Sequence, residues 1–203
     1  MLPLLLLLGC PPNEEKTTAA VRNSSLVDTT VYVAFGATSA IQTEDWKEFC
    51  SGSGLNCYFP LEKGRTRELP IHARNLNATF SFMRGVTCNT TKAEVNVNNP
   101  EWYDVADISL VDGFNVPMRM QFGLESIGPV VGATGNESLV GVFPNGCDIC
   151  VARQSPPCGM TPGTDGCKTG SQYDPDVPCQ VQGSVMGGGN NRVMIELLDL
   201  VPA

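Results

Sequence analysis

The stretch from Glu94 to Met118 constrains the fold more than any other part of the chain. In Glu94-Val95-Asn96-Val97 β-branched residues alternate with polar ones, the period of a half-buried strand. Asn98, Asn99 and Pro100 break that strand, because Asn tolerates a left-handed backbone and Pro removes a hydrogen-bond donor. Ile108, Leu110 and Val111 are too few for a helix and run into Asp112-Gly113, a tight-turn pair. Phe114, Val116 and Met118 alternate again, so a new strand leaves the turn and continues to Phe122. The same period recurs at 29–35, with Thr30, Tyr32 and Ala34 on one face and Val31, Val33 and Phe35 on the other. The predicted class is therefore all-β, with core strands at 29–35, 79–84, 92–97, 115–122 and 192–198. Shorter strands are expected at Ala20–Asn23 and Arg67–Ile71, and Asp45–Phe49 could form one helical turn.

This stretch also gathers three acids, Glu94, Asp107 and Asp112, around a strand and a turn. Asp112 alone could do no more than shape its turn. The three together point to an acidic cleft. Trp102 and Tyr103 stand beside them, either as faces on which a sugar ring could stack or as packing residues.

A chain of 203 residues fits one domain with a real core. The net charge of −8 argues against a nucleic-acid partner, which needs a concentrated Lys/Arg face. It also argues against electrostatic docking on anionic lipid. His72 is the sole His, and no Gly-x-Ser-x-Gly elbow accompanies it, so nucleophilic catalysis has little support. Gly187-Gly188-Gly189 lacks the following helix and Lys-Ser/Thr of a phosphate loop. Asn-x-Ser/Thr sequons occur at Asn23, Asn77, Asn89 and Asn136 and matter only in a glycosylating host. No cofactor and no metal are expected, and the chain is expected to be a monomer.

Residues 1–9 carry six Leu, an export segment too short to span a bilayer. Leu7-Leu8-Gly9-Cys10 looks like a bacterial lipobox, which would make Cys10 the lipidated first residue of an outer-membrane lipoprotein and 10–18 its tether. An ordinary signal peptide cut near Ala19 or Ala20, giving an extracellular protein, is the alternative. Of nine cysteines, setting Cys10 aside leaves Cys50, Cys57, Cys88, Cys147, Cys150, Cys158, Cys167 and Cys179. An even remainder in an exported chain favours disulfides, with a zinc site at Cys147, Cys150, Cys158 and Cys167 as the competitor. Residues 36–64 read as loop-rich. Residues 123–189 read as a turn-dominated, disulfide-rich subdomain within a domain spanning 19–203.

The run Asp107-Ile-Ser-Leu-Val-Asp-Gly-Phe-Asn-Val-Pro-Met118, preceded by Lys92-Ala93-Glu94, closely resembles the signature of the thaumatin-like proteins. Val21-Arg22-Asn23 with Thr30–Ala34, Val142–Cys147 and Asn190–Val193 are weaker matches, so the resemblance spans about residues 20–198. It implies a β-sandwich with a cysteine-rich second part and a cleft lined by an Arg, a Glu and three Asp. Glu94, Asp107 and Asp112 match three of those positions. Phe80 stands where the Arg is expected, while Arg84 aligns with a different Arg, and Asp174 is a candidate for the last Asp. The family also ties its first strand to its last with a disulfide. Here Ser25 and Glu196 stand near those positions, so both halves of that bond are absent together.

Some thaumatin-like proteins bind or weakly hydrolyse β-1,3-glucans. The resemblance therefore implies an exported module that recognises a neutral polysaccharide through Glu94, Asp107, Asp112, Trp102, Tyr103, Phe80 and Asp174. Membrane contact would come only through a lipid anchor. Weak β-1,3-glucan hydrolysis is the alternative, with Glu94 as acid and Asp107 as base or nucleophile. A surface lipoprotein that binds another protein, its cleft vestigial, is a third reading.

Overall fold

Alternation in sequence becomes alternation in burial. In the strand β2 below, Val31, Val33 and Phe35 are buried while Thr30, Tyr32 and Ala34 are half-buried. The structure is a computed structural model and describes residues 16–82, 90–109, 115–130 and 180–199. Among these, twelve strands follow in order: β1 (Thr18–Asn23), β2 (Thr29–Phe35), β3 (Ser51–Ser53), β4 (Asn56–Leu61), β5 (Thr66–Glu68), β6 (Leu76–Phe82), β7 (Lys92–Val97), β8 (Tyr103–Ser109), β9 (Met118–Phe122), β10 (Glu125–Val130), β11 (Gln180–Met186) and β12 (Arg192–Leu197). A five-stranded sheet has the order β10-β9-β12-β1-β5, and a seven-stranded sheet has the order β11-β8-β7-β6-β2-β4-β3. Val21, Met120 and Ile195 of the first sheet and Val33, Phe80 and Ile108 of the second belong to one buried apolar cluster. The expected all-β sandwich is the fold observed.

Strands β2 and β7 coincide with the ranges read from sequence, and β12 stops one residue short. The strand expected at 79–84 is described from Leu76 to Phe82, residues 83 and 84 lying outside the described residues, and that expected at 115–122 is regular only from Met118. The region 36–64, expected to be loop-rich, instead holds β3 and β4, closed by a disulfide between Cys50 and Cys57. Pro60 disguised β4. It is tolerated because β3 pairs only with Asn56–Tyr58, leaving Pro60 without a strand neighbour on that side. The helical turn spans Thr43–Trp46 rather than 45–49. Within 123–189, read as mostly turns, the described residues supply β10 and β11. Cys10, Cys88, Cys147, Cys150, Cys158, Cys167 and Cys179 lie outside the described residues.

Two polar junctions hold the ends of the sandwich. β1 runs parallel to β12, with Arg22 opposite Glu196. The Ser24 hydroxyl donates to Glu196 Oε1 at 2.5 Å, and Arg119 Nε on β9 donates to Oε2 at 2.9 Å. Burial pushes the Glu196 carboxyl up, but the Ser24 hydroxyl, Arg119 and, more distantly, Arg22 outweigh it and hold the carboxyl below its usual value. Glu196 thus links first and last strands non-covalently, through Ser24 rather than Ser25, whose hydroxyl donates to Asn23 Oδ1. At the other junction Thr17 donates its hydroxyl to the buried Asp104, which also accepts from the Asn98 backbone at 2.7 Å. Asn98, at φ 57, exchanges two hydrogen bonds with the Thr17 backbone. Gly188, at φ +101, packs so closely there that a Cβ would stand 2.2 Å from Asn98 Oδ1.

Candidate functional site

Cross-strand register builds the site on the outer face of the seven-stranded sheet. Thr79, Glu94 and Asp107 stand opposite one another on β6, β7 and β8, and Asn77, Asn96 and Val105 form the next row. Their sequence neighbours Phe80, Ala93, Val95, Ala106 and Ile108 all point into the core, so strand alternation turns these two rows outward. They line a shallow depression of about 250 Å³. It is smaller than a typical pocket for a whole ligand, about 300–1,000 Å³, and suits one unit of a larger molecule.

Two carboxyls meet in this depression. Burial first, then the charge of Glu94 and a hydrogen bond with it, push the Asp107 carboxyl up to about 7. A neighbouring carboxylate disfavours the ionised form of Asp107, in the same direction as its burial. Asp107 is thus the carboxyl for which the structure shows a push towards neutrality. Two acceptors remain unmatched: Asp107 Oδ1 and Asn96 Oδ1 are shielded from solvent and receive no hydrogen bond. A buried acceptor without a donor is costly. Both residues line the open depression.

The other expected residues divide. Tyr103 lies on the same outer face, four residues along β8 from Asp107, a Cα span of about 13 Å. Trp102 is 54% exposed, and its ring centroid is 6.1 Å from that of Tyr103. Neither ring belongs to the core cluster. Phe80 is a correction. It is wholly buried, because alternation along β6 turns Thr79, not Phe80, towards Glu94. Asp112 and Asp174 lie outside the described residues. His72 sits in an exposed turn at φ 46. Among the described residues no group of three His, Cys, Asp or Glu side chains could hold a metal ion.

Asn96 and Thr79 were not singled out in the sequence. The signal for Asn96 was present, since residue i+2 of a strand shares the face of residue i. Thr79 became visible only with the β6–β7 register.

No family model matches the chain, and no curated protein matches it. Among solved structures it is similar to the thaumatin-like xylanase inhibitor TLXI, at a TM-score of 0.44 and 14% identity over 88% of this chain and 97% of that one. It is also similar to the protein elicitor MoHrip2 from Magnaporthe oryzae, at a TM-score of 0.38 and 9% identity over 89% and 98% of the two chains. The two-sheet, all-β class rests on the strands themselves.

Proposed function

We propose that this chain is an exported thaumatin-like module that binds a neutral, hydroxyl-rich polysaccharide of the β-1,3-glucan type on the outer face of its larger sheet. One observation carries the reading: the polar side chains of Asn77, Thr79, Glu94, Asn96 and Asp107 line one open depression on the sheet. Sugar hydroxyls are donors of the right size, and the exposed Trp102 ring offers an apolar face nearby. An anionic ligand would meet the Glu94–Asp107 pair and be repelled. The β-1,3-glucan class comes from the resemblance at residues 92–118, and export with a lipid anchor at Cys10 from the leader sequence.

The same geometry disfavours hydrolysis. Glycosidase carboxyls stand about 5 Å or more apart so that a glycosidic bond or a water fits between them. Glu94 and Asp107 stand opposite each other on β7 and β8 and interact by a hydrogen bond, an arrangement closer than that spacing.

The test is titration calorimetry of the soluble domain with β-1,3-gluco-oligosaccharides, after a glycan array has selected among neutral sugars. Asn96→Ala should weaken binding roughly tenfold, the loss of one hydrogen bond from a buried acceptor. Glu94→Gln should keep binding. If no neutral glycan is retained, or Asn96→Ala binds like the parent, the reading is wrong. Release of reducing ends by the parent protein would restore the hydrolase alternative.

A further inference from the structure

A second pair of rings occupies the same outer face. Tyr32 on β2 and Tyr58 on β4 stand directly opposite each other, their ring centroids 6.0 Å apart and their planes tilted by 38°. Tyr58 is 49% exposed. A cross-strand aromatic pair commonly serves sheet stability alone, but such a pair gains most by covering its rings, and here half of the Tyr58 surface is left in water.

The pair also connects to the depression. Ala34 lies between them, opposite Asn56 on one side and Thr79 on the other, and Thr79 stands opposite Glu94. Ala34 is smaller than either of its outward neighbours, so it lowers the floor of the path from the rings to the carboxyls. Two inter-strand spacings and one two-residue step separate Tyr32 from Glu94, a Cα distance of about 12 Å. Four spacings and the same step separate Tyr58 from Asp107, about 20 Å.

We infer that Tyr32 and Tyr58 form a stacking subsite for a distal unit of the polysaccharide whose nearer unit fills the Asp107–Asn96 depression. The ligand is then an extended oligosaccharide laid across four or five strands. This inference rests on the function proposed above and assigns that site its length requirement. Flat apolar rings flanked by the polar Asn56 and Thr79 match the alternation of ring faces and hydroxyls on a pyranose chain.

Binding of β-1,3-gluco-oligosaccharides of increasing length, from disaccharide to octasaccharide, decides the matter. The parent protein should bind the disaccharide weakly and gain affinity until the chain reaches the tyrosines. Tyr58→Ala should lose roughly three- to tenfold affinity for the long oligomers, leave the disaccharide unchanged, and be rescued by Tyr58→Phe. Asn96→Ala should weaken every length. If Tyr58→Ala weakens short and long oligomers equally, Tyr58 only supports the sheet and the inference fails. It fails equally, with the proposed function intact, if affinity stops rising at the disaccharide. Absence of binding at any length overturns both.

Discussion

The Asp107 carboxyl makes a prediction whose sign and size both follow from its surroundings. In the unfolded chain an aspartate titrates near 3.8, whereas in the fold this one is pushed up to about 7. Between those values the folded state binds more protons than the unfolded state, so stability falls as pH rises from about 4 to about 7 and is level beyond. A shift of about three units at about 1.4 kcal/mol each sets a ceiling near 4 kcal/mol. Asp107 is half-buried, and solvent screening brings the realistic figure to about 2–3 kcal/mol. Asp107→Asn removes the titrating proton while keeping the shape. The variant should therefore be more stable than the parent by about that amount at pH 8, the gap closing towards pH 4. Urea unfolding of both proteins at half-unit intervals from pH 4 to 8.5 measures the curve. Glu94→Gln should flatten the parent's slope in part, since it removes the neighbouring charge and leaves the burial. A sugar hydroxyl donated to Asp107 Oδ1 favours the ionised carboxyl, so binding near pH 7 should release protons, seen as buffer-dependent heats. If the parent and Asp107→Asn run parallel across the whole range, the account of a raised Asp107 carboxyl is refuted.

Two further expectations concern the polar junctions. Glu196→Gln should cost about 1–2 kcal/mol at pH 7, because its partners are charged and partly exposed. The carboxyl is held below its ordinary value, so its contribution is present above pH 4.5 and lost as pH falls through the lowered value. Parent and variant should converge in acid, and a gap that widens there would contradict the junction. Thr17→Val removes the hydroxyl given to the buried Asp104 and should cost about 2 kcal/mol, or roughly 4–8 °C in Tm for a domain of this size. An unchanged melting curve would show that this junction does not hold the start of β1.

The parts of the fold legible in sequence are those where one face meets the core and the other does not. Strand β7 announces itself because Val95 and Val97 alternate with polar residues, and β2 because its run of Val31, Val33 and Phe35 is β-branched and aromatic. β8 was hidden by its own chemistry. Its buried positions are Asp104, Ala106, Ile108 and Ser109, small or polar except for Ile108, and the Asp is buried only because Thr17 and Asn98 satisfy it. Tertiary partners license that strand, and one-dimensional pattern cannot see them. β4 was masked by Pro60, whose missing donor matters only if a neighbouring strand faces it.

The site was half legible for a related reason. Glu94 and Asp107 could be named from a motif, but a motif gives an ordering of residues and not the face on which each stands. The expectation that Phe80 would occupy the cleft failed on that difference. Counting from Glu94 through the β6–β7 register brings Thr79 to the outer face and turns Phe80 into the core, where an Arg could stand only at great cost. The same register makes neighbours of side chains distant in sequence. Tyr58 and Asp107 lie 49 residues apart yet share one outer face, four strands from each other. A binding surface on a sheet is assembled in this way by pairing, so its width is set by how many strands lie side by side. Here the sheet that carries Glu94, Asp107 and Asn96 is seven strands wide, wider than the depression, which three of those strands line.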